Sequence, residues 1–243
     1  MSHAAGERVG GGVAVALIDS GVNTRHSHVG PIAGGLGFAM DGSGAVRREA
    51  DFGDRIGHGS ALAGILRAKA GAARLYAVKI FHERLAADFP VLEAALRWAI
   101  GFGVDVVGLS LGTSNPEHRR VLERLVAQAS AANCIIVASG PPGGADWFPA
   151  SLPGVLGVAG DARCGWDDLA YVRDDPIPFR AHARPRPLAG PAERRNFHGH
   201  SFAAAHLASM VARLRERRPS ISSQEVRARL ASAARTLGRF GPA

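Results

Sequence analysis

The chain has 243 residues, of which 47% are hydrophobic and 21% charged, with a formal net charge of +8. That suits one sizeable domain spanning residues 1–243, and no apolar run reaches the ~20 residues needed to cross a membrane. The two cysteines, Cys134 and Cys164, form neither a disulfide framework nor a metal spacing, which is compatible with a reducing compartment. The basic excess is almost all Arg, with Lys only at Lys69 and Lys79, and no nucleic-acid-binding motif accompanies it. Plain solubility comes first as its meaning, an acidic peptide partner second and nucleic acid last.

In chain order, residues 1–11 read as a flexible N-terminus. Val13–Ile18 reads as a buried strand, since the run is too short and too poorly flanked by positive charge for a signal segment. His58–Ala70 is helical, Arg74–Phe81 a strand and Val91–Phe102 a helix with Leu92, Ala95, Leu96 and Ala99 on one face. Val104–Leu109 is a strand, and Glu117–Ala132 a helix after Asn115-Pro116. Cys134–Ala138 and Val155–Ala159 are short strands. Arg173–Arg195, with five prolines and six arginines, reads as an Arg/Pro-rich loop. Ser201–Arg217 is a helix stopped by Pro219, and Ser222 with Glu225 predicts a capping box before a last helix near Glu225–Ala234. Strands alternating with helices predict an α/β fold: three layers, with a mostly parallel central sheet and helices on both faces.

Three short stretches carry chemistry. Asp19-Ser20-Gly21 ends the first strand, Gly57-His58-Gly59-Ser60 opens one helix, and Gly199-His200-Ser201-Phe202-Ala203-Ala204-Ala205-His206 opens another. A serine hydroxyl is a weak nucleophile. A histidine must take its proton, and an aspartate must hold that histidine in the right tautomer. Each residue alone has an ordinary explanation as a turn residue or helix cap. Three together, each at a strand or helix end beside small residues, do not. Gly199–Ala203 lacks the last glycine of a nucleophile elbow, and Gly10-Gly11-Gly12 precedes its strand, whereas a dinucleotide loop follows one.

The order Asp, His, Ser and the local sequences resemble the subtilisin-like serine peptidases, the subtilases. Val13–Gly21 resembles their first catalytic motif, Gly57–Gly64 their HGTHVAG motif and Gly199–His206 their GTSMAAPH motif. Leu75–Ile80 and Asp105–Gly112 also look like core segments of that family, so the likeness runs from about Val13 to the last helix. The resemblance implies a three-layer subtilisin-like fold and a serine endopeptidase with Ser201 as nucleophile, His58 as base and Asp19 as its orienting group. It implies that Ser110, Leu111 and Gly112 pair with an extended substrate, that Ala138, Ser139 and Gly140 wall the primary pocket, and that Trp147 closes it. With so large a side chain there, a small residue before the cut is expected. The other reading of Trp147 is a core residue away from the cleft.

The pattern breaks at one place. The family has an asparagine, in a segment like AAAGNEG, whose amide helps to hold the oxyanion. Here the segment is Val137-Ala138-Ser139-Gly140-Pro141-Pro142-Gly143, and Pro141 has no donor at all. His200 stands where the family has threonine and is a candidate substitute donor; lining a polar rim with His198 is the plainer role for it. Two readings follow: a slow or dedicated peptidase, or a catalytically impaired pseudoprotease that binds peptides. An esterase or ligase using the same acyl-enzyme is a third.

Other expectations come with the resemblance. His28 stands near a calcium-ligating position of the family, and His26-Ser27-His28 has metal-compatible spacing, but without a third ligand neither a metal nor a cofactor is expected. Folding without a propeptide and without self-cleavage is expected, as is a cytoplasmic location. The expected partners are a peptide or protein substrate, an acidic leader segment guided by the Arg/Pro-rich loop among them, and a possible partner protein in a maturation complex. Neither nucleic acid nor membrane is expected.

Overall fold

A computed structural model describes residues 12–188 and 196–236. The expected flexible terminus at 1–11 and residues 189–195 of the Arg/Pro-rich stretch lie outside the described residues, as do 237–243. In order the elements are β1 (Ala14–Asp19), β2 (Gly34–Met40), β3 (Val46–Glu49), α1 (His58–Lys69), β4 (Arg74–Lys79), α2 (Phe89–Phe102) and β5 (Val106–Leu109). A 3-10 turn at Pro116–His118 leads into α3 (Arg119–Ala131), then β6 (Ile135–Ser139), β7 (Leu156–Gly160), β8 (Leu169–Tyr171), β9 (Phe179–Ala181), α4 (His200–Arg217), α5 (Ser223–Ala233) and β10 (Arg235–Thr236).

The strands form one sheet in the order β10-β8-β9-β7-β6-β5-β1-β4-β2-β3. Among the described strands only the β2/β3 and β8/β9 pairs are antiparallel. A parallel sheet covered on both faces needs strands that are apolar throughout, which is why β1 does not alternate. Val15 and Leu17 face a cluster with Leu62 of α1 and Val211 of α4. Ala16 and Ile18 face a cluster with Leu96 of α2 and Leu125 of α3. The fold has the expected three layers, and the packing divides the helices between them as α1/α4, sheet and α2/α3. Ser222 and Glu225 form the expected capping box on α5, and both cysteines are buried free thiols.

The structure corrects the reading of Arg173–Arg195 as a loop. It contains β9, and its Arg180 side chain is only 1% exposed, bonded through Nη2 to Asp175 Oδ2 at 2.6 Å. Asp175 in turn accepts the Gly143 N–H at 3.1 Å. Part of this segment is thus an internal brace behind the Pro141 turn. Composition hid it because a buried arginine paired to an aspartate looks, in sequence, like a solvated one. Arg184 and Arg186 follow on the rim, and residues 184–188 have no regular structure.

Candidate active site

Six chain segments converge at the carboxyl end of the sheet, where open parallel sheets bind ligands. Asp19 is the last residue of β1, Ser110 follows β5, Ser139 ends β6, and Gly160 ends β7. His58 and His200-Ser201 open α1 and α4 from the layer beside it.

The Asp19 carboxylate is 1% exposed. It accepts the Ser20 N–H at 2.7 Å and the Ser110 hydroxyl. Nδ1 of His58 lies 2.8 and 3.0 Å from its two oxygens. A ring nitrogen facing a carboxylate carries the proton, so Nε2 is left as the free base. Helix α1 comes this close because Gly59 lacks a side chain; a Cβ there would stand 2.1 Å from the Gly21 carbonyl oxygen. The start of α1 is held from outside. The Gly59 N–H donates to Ser20 Oγ at 2.9 Å, and the Ser60 N–H and hydroxyl donate to Asp54 Oδ2 at 2.9 and 2.7 Å. The other Asp54 oxygen takes the Ser20 hydroxyl and the N–H groups of Ile56 and Gly57. Burial alone would raise the Asp54 pKa, but the bonds from Ser60, Gly57 and Ile56 outweigh it and leave it lowered.

Ser201 is half-buried at the second position of α4, and its hydroxyl donates to the Ser110 carbonyl at 2.9 Å. The ring of His58 lies against Phe202, one residue on, with centroids 5.2 Å apart. Ser110 therefore touches both ends of the arrangement: its hydroxyl on Asp19 and its carbonyl on Ser201. The sequence assigned Ser110 to substrate pairing and carried no signal for this bridge.

His200 Nδ1 accepts the Gly160 N–H at 3.0 Å. Its proton is then on Nε2. Burial, with the charge of Arg180 second, lowers its pKa and keeps the ring neutral. His198 is exposed. Pro141 opens a turn closed by the Gly144 N–H on its carbonyl at 3.2 Å and presents no donor toward the site.

The ring of Trp147 lies between the ends of β5 and β6. Its Nε1–H donates to the Ser139 carbonyl at 3.1 Å. A Cβ on Gly112 would stand 2.3 Å from Trp147 Nε1, and one on Gly140 2.6 Å from Trp147 Cδ1. The indole therefore occupies the space between the segments assigned to the cleft, and is half-buried there rather than sunk in the core. Leu111 is half-buried beside it, Ala138 is fully buried, and Thr113 makes a one-residue bridge to Phe148.

Among the described residues no cluster of three or more His, Cys, Asp or Glu could hold a metal. The rings of His26 and His28 are tilted at 47° with centroids 5.4 Å apart, and Nδ1 of His28 is 2.7 Å from Arg186.

A buried Asp–His pair with a serine alongside, at the carboxyl edge of an open α/β sheet, has the components that acyl transfer by a hydroxyl needs. The class is a serine hydrolase on a doubly covered parallel sheet. The comparisons narrow it. The subtilase family model matches residues 10–159, 150 of the 243 residues, so the chain belongs to the subtilase family. It is a subtilisin-like serine endopeptidase. Subtilisin DY of Bacillus licheniformis is 25% identical over 94% of this chain and 86% of its own length. Subtilisin Savinase of Lederbergia lenta is 28% identical over 94% of this chain and 86% of its own. Alkaline elastase YaB of Bacillus sp. (strain YaB) is also 28% identical, and this chain spans 61% of it. The crystal structure of a lanthipeptide protease superposes with a TM-score of 0.65 over 88% of this chain and 77% of that one, at 19% identity, a likeness of fold. The family match ends before Ser201. Among the described residues no helix is long and apolar enough to cross a membrane.

Proposed function

We propose that Asp19, His58 and Ser201 are the catalytic residues of a dedicated processing peptidase. Ser201 Oγ attacks the peptide carbonyl while His58 Nε2 takes its proton. The negative charge passes to the carbonyl oxygen, and Asp19 stabilises the imidazolium through Nδ1–H. Collapse of the tetrahedral intermediate expels the amine, which receives the proton from His58. Water then hydrolyses the acyl-enzyme by the same route. The observation that carries this reading is the bridge at Ser110, which joins the buried Asp19–His58 pair to Ser201. A turn of the Ser201 hydroxyl from the Ser110 carbonyl to His58 Nε2 readies the nucleophile.

The oxyanion is held by the Ser201 N–H, at the open start of α4, and by the His200 Nε2–H. The Gly160 bond favours this role for His200 by placing its proton on Nε2. Trp147 restricts the residue before the cut to Gly, Ala or Ser. A narrow pocket and a donor lost at Pro141 suit a few cleavages in one substrate class better than general digestion. Removal of a leader from a ribosomally made peptide is such a task, and the lanthipeptide protease shares the fold. Two buried free thiols fit a reducing, cytoplasmic setting.

The reading is tested by fluorophosphonate labelling of the full chain. A single adduct on Ser201, lost in Ser201→Ala and slowed in His58→Ala, is the expected result. Absence of an adduct on folded wild-type protein would favour the non-catalytic peptide-binding reading that Pro141 suggests.

A further inference from the structure

Along the carboxyl edge of the sheet, Trp147 lies at the β5/β6 end. Across Asp19 and His58, beside the loop that follows β1, a cavity of about 920 Å³ opens. Phe197, whose ring stands edge-on to His58 with centroids 6.1 Å apart, forms its near wall. Trp166 forms another wall. Cationic or protonatable groups line the volume: His26 and His28 from the loop after β1, Arg55 and Arg67 flanking and on α1, and Arg186 after β9.

The charge in this cavity is one-sided. Among the described residues its one carboxylate is Asp54, and both Asp54 oxygens are filled by Ser20, Ile56, Gly57 and Ser60. Arg67 is engaged by the carbonyls of Pro31, Gly71 and Ala73, and Arg55 reaches outward to Glu83. Arg186 differs. Its Nη2 meets a neutral acceptor, His28 Nδ1, at 2.7 Å. Among the described residues no carboxylate pairs with Arg186, His26 or His28. A guanidinium matched to an imidazole leaves its preferred bidentate partner unfilled.

This rim is built rather than adventitious. Asn196 Nδ2 donates to the Arg186 carbonyl at 2.8 Å. Buried His206 donates from Nε2 to the Arg184 carbonyl at 3.0 Å, and its ring packs edge-on to Trp166 at 4.6 Å.

We propose that this cavity is a subsite for an acidic side chain, Asp or Glu, on the leaving-group side of the scissile bond, with Arg186 as the carboxylate's main partner. The inference rests on the peptidase reading above. With the residue before the cut placed at Trp147, the chain beyond the cut passes His58 and Phe197 and arrives here. The carboxylate takes the place of the His28 imidazole on Arg186, while Phe197 and Trp166 shield the pair from water. The acidic determinant of the substrate then lies after the cut, not in a leader before it.

The test uses full-length Ser201→Ala protein and labelled peptides with Ala before the intended cut. Glu, Gln or Lys is placed in turn at each of the first three positions after it, and binding is read by anisotropy. At one position the Glu peptide is expected to bind about tenfold more tightly than the Gln peptide. Arg186→Glu, checked to melt at the parental temperature, is expected to reverse the order of the Glu and Lys peptides. Equal binding of Glu and Gln peptides at all three positions, or a Glu preference that survives Arg186→Glu, overturns the subsite. Fluorophosphonate labelling of wild-type protein reads the peptidase assignment separately, so labelling without Glu preference removes the subsite alone. Glu preference without labelling retains the subsite on a chain that does not catalyse.

Discussion

Helices α1 and α4 both begin at the site, and their first turns are treated in opposite ways. At α1, Gly59 and Ser60 give their N–H groups to Ser20 and Asp54, and the His58 ring is clamped on Asp19. At α4, Gly199 supplies no side-chain cap. Among the described residues no side chain accepts from the N–H of His200 or Ser201, and the first helical N–H groups have no partner within the helix. One helix start is frame. The other leaves its donors and its positive dipole end open, and in the mechanism proposed above they meet a charge that exists only while the reaction proceeds, which is where preorganised donors lower a barrier most. Pro141 lies on this open side, so the departure from the family pattern falls where a donor is wanted and leaves the frame untouched.

Substitutions at the open end of α4 have the largest expected effect. His200→Ala is expected to lower kcat by about 10²-fold with little change in melting temperature, and Pro141→Asn in that background to restore part of the loss. If kcat is unchanged in His200→Ala while Ser201→Ala is inactive, His200 is not a donor. At the framed end Asp54→Asn puts a donating amide where Oδ2 accepts the Ser60 N–H and hydroxyl, and so breaks two of the five bonds the carboxylate takes. It is expected to cost about 3 kcal/mol in urea unfolding and to slow turnover by loosening His58. An unchanged unfolding midpoint would mean that α1 holds its start without Asp54.

Smaller effects sharpen the picture. Trp147→Gly should open the space between Gly112 and Gly140 and move the preference before the cut from Ala toward Phe or Leu, by about tenfold in relative kcat/KM. Efficient cleavage after Phe by the wild type would place the indole elsewhere during catalysis. The smallest effect is on pH stability. Burial holds neutral His206 down at about 3, and burial with Arg180 also lowers His200. Below about pH 6.5 the unfolded chain binds protons that these native rings refuse, so stability is complete above that pH and falls as pH drops toward the native values. His206 alone contributes at most about 1.4 kcal/mol per pH unit on the way. Urea midpoints that stay level from pH 7.5 to 4.5 would show that the ring protonates freely.

Much of the fold was legible because its causes are local. Continuous apolar runs announce strands buried on both faces, and the one-sided pattern of Val91–Phe102 and the Ser222–Glu225 box mark helices. The hairpin β2/β3 and strands β8 to β10 were not read. β2 is glycine-rich, β3 is charged, and the last three are two or three residues long, so each depends on a neighbouring strand rather than on its own pattern. Asp19, His58 and Ser201 were singled out by motif, and their catalytic role is the proposal above. The support around them, Asp54, Ser110, Gly160 and the Asp175–Arg180 pair, was not, because a common aspartate, serine or arginine carries no signal until its partner from another part of the chain arrives.

By itself the sequence determined the family, the three-layer fold class and the three residues for which catalysis is proposed, since small flanking residues and strand or helix ends are written in adjacent letters. It also showed that a donor is missing at Pro141. Tertiary structure alone decided which nitrogen of His200 carries the proton, that Trp147 stands between two strand ends, and that an arginine from beyond β9 faces a cavity beside α1. Those contacts join residues from seven to 158 positions apart, and packing, not local propensity, brings them together.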